Sequence, residues 1–277
     1  MSERWQYRRG LAAFLAAGLV GLAALAGADA APRKQQKPCA ESLDQCPDSG
    51  CAFNDEGKTP AQQQAEALLN RTKRHKVTGG PWVRLTFDDF EALQELAASR
   101  VDNGKNSAVS ETDRAKLHGL SLPSGRAMAE GDRVELLGFV VQDSPRPKPA
   151  GPESVNCRLT RAANNDIHIP IVEDPEDDEF RSVVVEMIPQ GRDPKWKSEG
   201  LKRAAREGRP VLVRGQLFYD NKHEVNDDSD HDNGEPKRRS LWEIHPVSEL
   251  YVCYRQKRDC ERPPEHAQQD WKRLEEF

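Results

Sequence analysis

Seven side chains in this sequence have types and spacings suited to chemistry: the Asp166-x-His168 pair, Glu186, Asp220 followed by His223, and the Glu243-x-His245 pair. Alternate residues of an extended strand share a face about 7 Å apart, so each x-spaced pair would present a carboxylate and an imidazole together. Imidazole suits Zn²⁺ or a late transition metal, and carboxylate suits Ca²⁺ or Mn²⁺. One strand cannot close such a pair on a common ion, so a neighbouring strand must help. A divalent metal held by Asp166, His168, Glu243 and His245 is therefore one reading. A solvated strand face with cross-strand charge pairs is the other. No Gly-x-Ser-x-Gly elbow, His-Glu-x-x-His or phosphate loop occurs, so no catalytic residue is assigned. Asp228, Asp230 and Asp232 alternate as in an EF-hand loop, but Asn233 stands where that loop needs Gly and Arg239 where it needs Glu, which leaves a charged loop.

The elements that must position these residues are strands. From residue 131 the pattern becomes β-like: 134–142 is aliphatic, 166–173 alternates strictly through Ile167, Ile169 and Ile171, and 181–188 carries three consecutive valines. A helix is expected over 197–207 with Leu201, Ala204 and Ala205 inward and Gly208 ending it. Strands at 210–220 and 240–253 follow. The order β-β-β-α-β-β is that of a five-stranded OB-fold-like barrel, and Gly138 and Gly215 suit its sharp bends; a generic α+β sheet is the structural alternative. In such a barrel the second, third and fifth strands are neighbours, so Asp166, His168, Glu186, Glu243 and His245 would share the outer surface. Asp220 and His223 would join them from the edge to make a binding face.

Upstream, Thr59-Pro60 caps a helix over 60–75 with Ala65, Leu68, Leu69 and Thr72 on its apolar side. Thr86-x-x-Asp89 opens a second helix with Phe87, Phe90, Leu93, Leu96 and Ala97 at helical spacing. Residues 101–130 read as a polar connector with one turn near 111–118. The expected organisation is a signal peptide at 1–30, a Cys-bearing helical region at 31–130, the barrel at 131–253 and a polar tail at 254–277.

Arg4, Arg8 and Arg9 precede an apolar run at 11–27, and Ala28-Asp29-Ala30 supplies a small-x-small cleavage site. The run is short and weakly apolar for a stable span. The expectation is an exported chain, periplasmic or extracellular, with an uncleaved anchor as the alternative. In an exported chain the even set Cys39, Cys46, Cys51, Cys157, Cys253 and Cys260 reads as disulfides. Its fifteen pairings stay open, although Cys253 and Cys260 could close locally. The rival metal cluster at Cys39, Cys46 and Cys51 lacks a Cys-x-x-Cys knuckle.

The stretches 165–168, 183–186, 215–220 and Leu241-Trp-Glu-Ile-His-Pro-Val247, with Asn70-Arg-Thr-Lys73 upstream, resemble a family of uncharacterised exported bacterial proteins with an OB-like barrel behind a short Cys-bearing region. That resemblance implies the fold and carries no assigned activity. Residues 216–219 depart from the Trp-containing stretch expected there.

The chain holds 46 acidic and 41 basic residues and is 6% aromatic. That balance argues against the nucleic-acid partner an OB-fold usually takes, since phosphate binding needs a basic groove with stacking rings. The Lys237-Arg238-Arg239 run reads as a counterweight to the preceding aspartates. Three functions remain: an exported binding module for a cationic peptide, metal or small ligand; a metal-dependent hydrolase, such as a phosphodiesterase, using the His/carboxylate set; or an envelope interaction protein.

Overall fold

Capping chemistry and strand alternation decide where the elements begin and end. The computed structural model describes residues 36–102, 107–142, 144, 147–223, 225 and 238–277. The expected signal segment, Asp228, Asp230, Asp232 and Asn233, and Lys237 lie outside the described residues. Thr59 caps α1 (Pro60–Arg74) through a reciprocal box with Gln62, and Pro60 occupies the first helical position. A short strand, β1 (Val83–Leu85), leads to α2 (Phe87–Ala98), which Thr86 and Asp89 box in the same way. The connector contains α3 (Glu111–Arg114) and a two-stranded ribbon of β2 (Leu120–Ser121) and β3 (Ala127–Met128). Then come β4 (Arg133–Val140), β5 (Lys148–Pro149), β6 (Ile167–Val172), β7 (Val183–Met187), α4 (Ser198–Arg206), β8 (Pro210–Tyr219), β9 (Trp242–Cys253) and β10 (Trp271–Arg273).

Strands β4, β6, β7, β9 and β8 close into a five-stranded barrel. β4 pairs with β6 at one side and β8 at the other, β6 with β7, and β8 with β9, all antiparallel; β7 and β9 run parallel. This is the OB-like order, with α4 between the third and fourth barrel strands. Gly138 lies where β4 meets β6: a Cβ there would sit 2.5 Å from the Val172 carbonyl oxygen. At Gly215 a Cβ would sit 2.3 Å from the Pro246 carbonyl oxygen, beside an irregularity in the β8–β9 ladder. Both closures need a residue without a side chain.

The interior is aliphatic: Ile167, Ile169, Ile171, Val183, Val185, Met187, Val211, Val213, Leu217 and Ile244 are all buried. Helix α2 adds Phe90 and Leu93, and the Trp242 indole donates to the Leu93 carbonyl at 3.0 Å. Helix α4 buries Leu201, Ala204 and Ala205. The residues at 254–277, read from sequence as a polar tail, fold back instead. Strand β10 pairs with β9, and Trp271 joins Leu137, Leu212 and the Cys253–Cys260 disulfide in a small second core.

All six cysteines are paired, as Cys39–Cys51, Cys46–Cys157 and Cys253–Cys260. The second bridge ties the N-terminal arm to the β5–β6 connection. Residues 36–277 form one compact unit. Among the described residues, no helix is long and apolar enough to cross a membrane.

The face that α1 buries differs from its apolar stripe. Glu66, Asn70 and Lys73 are buried alongside Ala67 and Leu69. The surface beneath them is polar, and it is the outer surface of the barrel.

Candidate functional site

Strand register brings the predicted residues together. His168 lies directly opposite Glu186 across the β6–β7 ladder, and Val185 pairs with Ile244, which sets Glu186 beside His245. Glu243 lies opposite Phe218 on β8. Because Ile167, Val185, Trp242 and Ile244 point inward, these polar neighbours all point outward. Asp166 precedes β6, Asp220 follows β8, and His223 stands at the start of the next loop.

This outer face is not solvated. Asp166, Glu186, Asp220, Glu243 and His245 are all 0% exposed and His168 is 8% exposed. Helix α1 and the disulfide-tied arm cover them. Asn70 Nδ2 donates to the Ser49 carbonyl and Ser154 Oγ, and Gln216 Nε2 donates to the carbonyls of Thr72 on α1 and His245 on β9.

The cluster has two halves. In the first, His168 Nε2 lies 2.7 Å from Glu186 Oε1, and His245 Nδ1 lies 3.0 Å from Glu186 Oε2. His245 Nε2 lies 3.6 Å from Asp166 Oδ2, and Asn156 donates to the other oxygen of Asp166 at 2.8 Å. In the second half, Asp220 Oδ2 lies 3.0 Å from the Lys73 ammonium and 3.2 Å from His223 Nδ1, while its Oδ1 accepts from the Lys222 backbone. Glu243 pairs through Oε1 with the fully buried Arg238, and its Oε2 is 3.6 Å from His245 Nδ1. Glu153 stands at the margin, 3.5 Å from His168 and 3.8 Å from Lys73. Phe218 lies under both halves, edge-on to the His245 ring at 5.3 Å and 5.8 Å from the Lys73 ammonium.

These contacts fall into two triads with ligand atoms within 4.8 Å of one another: Asp166, Glu186 and His245, and Asp220, His223 and Glu243. The sequence-predicted set is thus split between them. Asp166 and His245 converge with Glu186, His168 flanks that carboxylate, and Glu243 belongs with Asp220 and His223. Arg238, expected to balance the acidic loop, is instead the ion-pair partner of Glu243, and Arg239 pairs with Glu91 at 2.9 Å.

Proton affinities follow from burial and charge. Burial works against a charged His245, but Glu186 and Glu243 outweigh it and raise the imidazole to about 9. His168 is likewise opposed by burial and held well above its usual range by Glu186 and Glu153. Burial raises Asp166 to about 6, with His245 partly offsetting it. Burial also disfavours ionised Glu186 and Asp220, yet neighbouring cations hold both well below the carboxylate range. His168 and Lys73 act on Glu186; Lys73 and His223 act on Asp220. Lys73 is raised, its burial overcome chiefly by Asp220 and Glu186.

The two halves differ in their counter-charge. Lys73 and Arg238 serve Asp220 and Glu243. Among the described residues, no Lys or Arg lies within 4 Å of a carboxylate oxygen of Asp166 or Glu186, whose ion-pair contacts are to imidazoles. Asp166 Oδ2, both Glu186 oxygens and both His245 nitrogens are buried without a hydrogen-bond partner, so the close approaches between them lack hydrogen-bond direction.

Periodicity missed Lys73, Glu153, Asn156 and Arg238. The available signal for Lys73 was its spacing with Glu66 and Asn70, which places three polar residues on one helical face. The fold and site define an OB-like barrel with a covered carboxylate–imidazole cluster on its outer wall. No protein-family model, curated protein or solved structure matches the chain.

Proposed function

We propose that this chain is an exported binding module whose ligand is a divalent transition-metal ion, held in the seam between the barrel and α1. One observation carries the reading: Asp166, Glu186 and His245 are fully buried, their ligand atoms converge, Asp166 Oδ2, both Glu186 oxygens and both His245 nitrogens make no hydrogen bond, and none of the three has a Lys or Arg within ion-pair distance among the described residues. Asp166 and Glu186 rely on imidazole neighbours for counter-charge, and buried polar atoms left without a hydrogen bond carry a desolvation cost of about 1–3 kcal/mol each. A metal ion removes that penalty and uses the donors' lone pairs directly. Mixed imidazole and carboxylate donors suit Zn²⁺ or Mn²⁺. Asn156 would fix the orientation of Asp166, the usual task of a group behind a metal ligand. Export is supported by three disulfides, which persist in oxidising compartments.

The cover favours an ion over a cationic peptide, since the cluster offers no open groove to an extended chain. The hydrolase reading uses the same donors but also needs a coordination position open to substrate, and α1 and the arm roof the cluster.

Elemental analysis of purified protein comprising residues 31–277, with titration of Mn²⁺, Zn²⁺ and Co²⁺, tests the proposal. The expected result is one ion per chain, lost in Glu186→Gln and His245→Ala. At a free metal concentration of 100 Kd the gain in stability is about 2.7 kcal/mol. No uptake and no rise in melting temperature with any of the three ions would overturn it. Metal-dependent phosphodiester turnover would replace it with the hydrolase reading.

A further inference from the structure

We infer that Asp220, His223 and Glu243 form a second divalent-cation position, and that the ammonium of Lys73 is its built-in occupant. The inference concerns the other half of the cluster and goes beyond the metal reading above without requiring it.

The donor set is that of a metal position: two carboxylates and an imidazole with ligand atoms within 4.8 Å of one another. Asp220 and Glu243 are 0% exposed, and Glu243 Oε2 has no hydrogen-bond partner. The backbone amide of Lys222 already occupies Asp220 Oδ1, which leaves Oδ2 facing the cluster, 3.0 Å from Lys73 Nζ and 3.2 Å from His223 Nδ1. The two triads touch through Glu243 and His245, 3.6 Å apart. Among the described residues, one half has no Lys or Arg at ion-pair distance, and the other has the Arg238 guanidinium on Glu243 Oε1 and an ammonium on Asp220 delivered by a helix.

Delivery by α1 makes the occupant removable in principle. Lys73 reaches the barrel from the last turn of α1, on the face that also buries Glu66 and Asn70. Its ammonium lies over the Phe218 ring, 5.8 Å from the centroid. An ammonium carries one positive charge and no lone pair, so it neutralises Asp220 but cannot be coordinated by His223. A divalent ion, by contrast, can be ligated by all three side chains together. Lys73 therefore acts as a plug that keeps a metal ion out of this half of the cluster as long as α1 is seated.

The test is metal stoichiometry in Lys73→Met, which keeps the apolar stem and removes the charge. Wild type and variant are stripped with chelator, incubated with Mn²⁺ or Zn²⁺, desalted and analysed for bound metal. The variant is expected to hold one ion more than wild type. Adding His223→Ala or Glu243→Gln to Lys73→Met should abolish the extra ion, while adding Glu186→Gln should leave it. Equal stoichiometry in wild type and Lys73→Met overturns the inference, as does an extra ion that survives loss of both His223 and Glu243. If Lys73→Met unfolds in chelator, refolding on addition of Mn²⁺ or Zn²⁺ supports the inference, and failure to refold at millimolar ion overturns it. Zero ions in wild type with one in Lys73→Met would sink the proposed function while leaving this inference standing. One ion in each would do the reverse.

Discussion

Asn156 donates its side-chain amide to Asp166 at 2.8 Å from the residue immediately before Cys157, which is bridged to Cys46. The disulfide that ties the arm to the barrel thus also anchors the group that orients a candidate metal ligand. Asn156→Ala is expected to weaken metal binding about 10–100-fold, as loss of an orienting partner typically does. Its melting temperature in the presence of chelator should change less than that of Asp166→Ala. Titration calorimetry paired with thermal melts reads the two effects separately.

Breaking that bridge should cost global stability. Cys46 and Cys157 are 111 residues apart in sequence, so the closed loop is long and Cys46→Ala/Cys157→Ala is expected to lose about 2–5 kcal/mol. Cys253 and Cys260 are only 7 apart, and their double replacement should cost less. Urea unfolding of the two double variants under identical conditions gives the ranking. Equal losses would contradict it.

Glu66 fastens α1 from the other side, 3.3 Å from Lys58 and 2.8 Å from Lys222. Burial disfavours its charge, but the two lysines win and lower its proton affinity below the ordinary glutamate range. A lowered folded-state value means the stabilisation is complete above the unfolded-state range, near pH 4.5, and is lost as pH falls through the folded value. The stability difference between wild type and Glu66→Gln should therefore be constant above about pH 6 and shrink below about pH 4. Urea midpoints across that range check it.

The barrel's tie to α2 rests on Trp242, whose indole N–H donates to the Leu93 carbonyl while its ring packs against Tyr219 at 5.2 Å. Trp242→Phe removes the indole donor to the Leu93 carbonyl, which keeps its helical partner, and leaves a small void. A loss of about 1–3 kcal/mol is expected, with metal stoichiometry unchanged because Trp242 faces the interior. A change in bound metal would mean the two faces of β9 are coupled.

Local rules made much of this legible. Thr59 and Thr86 announced their helices through short-range capping, and Ile167, Ile169 and Ile171 announced an inward face through alternation. The barrel order followed from counting those strands. What escaped was non-local. The pairing of Val185 with Ile244 depends on two parallel strands distant in sequence, and that register decides which acids meet which imidazoles. Short strands such as β1 and β10 exist only because β4 and β9 offer them an edge. Lys73 was invisible to apolar periodicity because α1 docks on charge, so its hidden face reads as a surface face. Arg238 was invisible for a similar reason: its neighbours in sequence are polar, and its partner Glu243 is assigned by the fold.

A helix seated on charge has a calorimetric consequence. Exposure of apolar surface raises heat capacity, whereas exposure of polar surface lowers it. The face α1 buries mixes Ala67 and Leu69 with Glu66, Asn70 and Lys73, so the two contributions oppose one another when it lifts. Scanning calorimetry would then register the melting of the barrel and pass over the opening of its cover. Amide hydrogen exchange along residues 60–74 would record it.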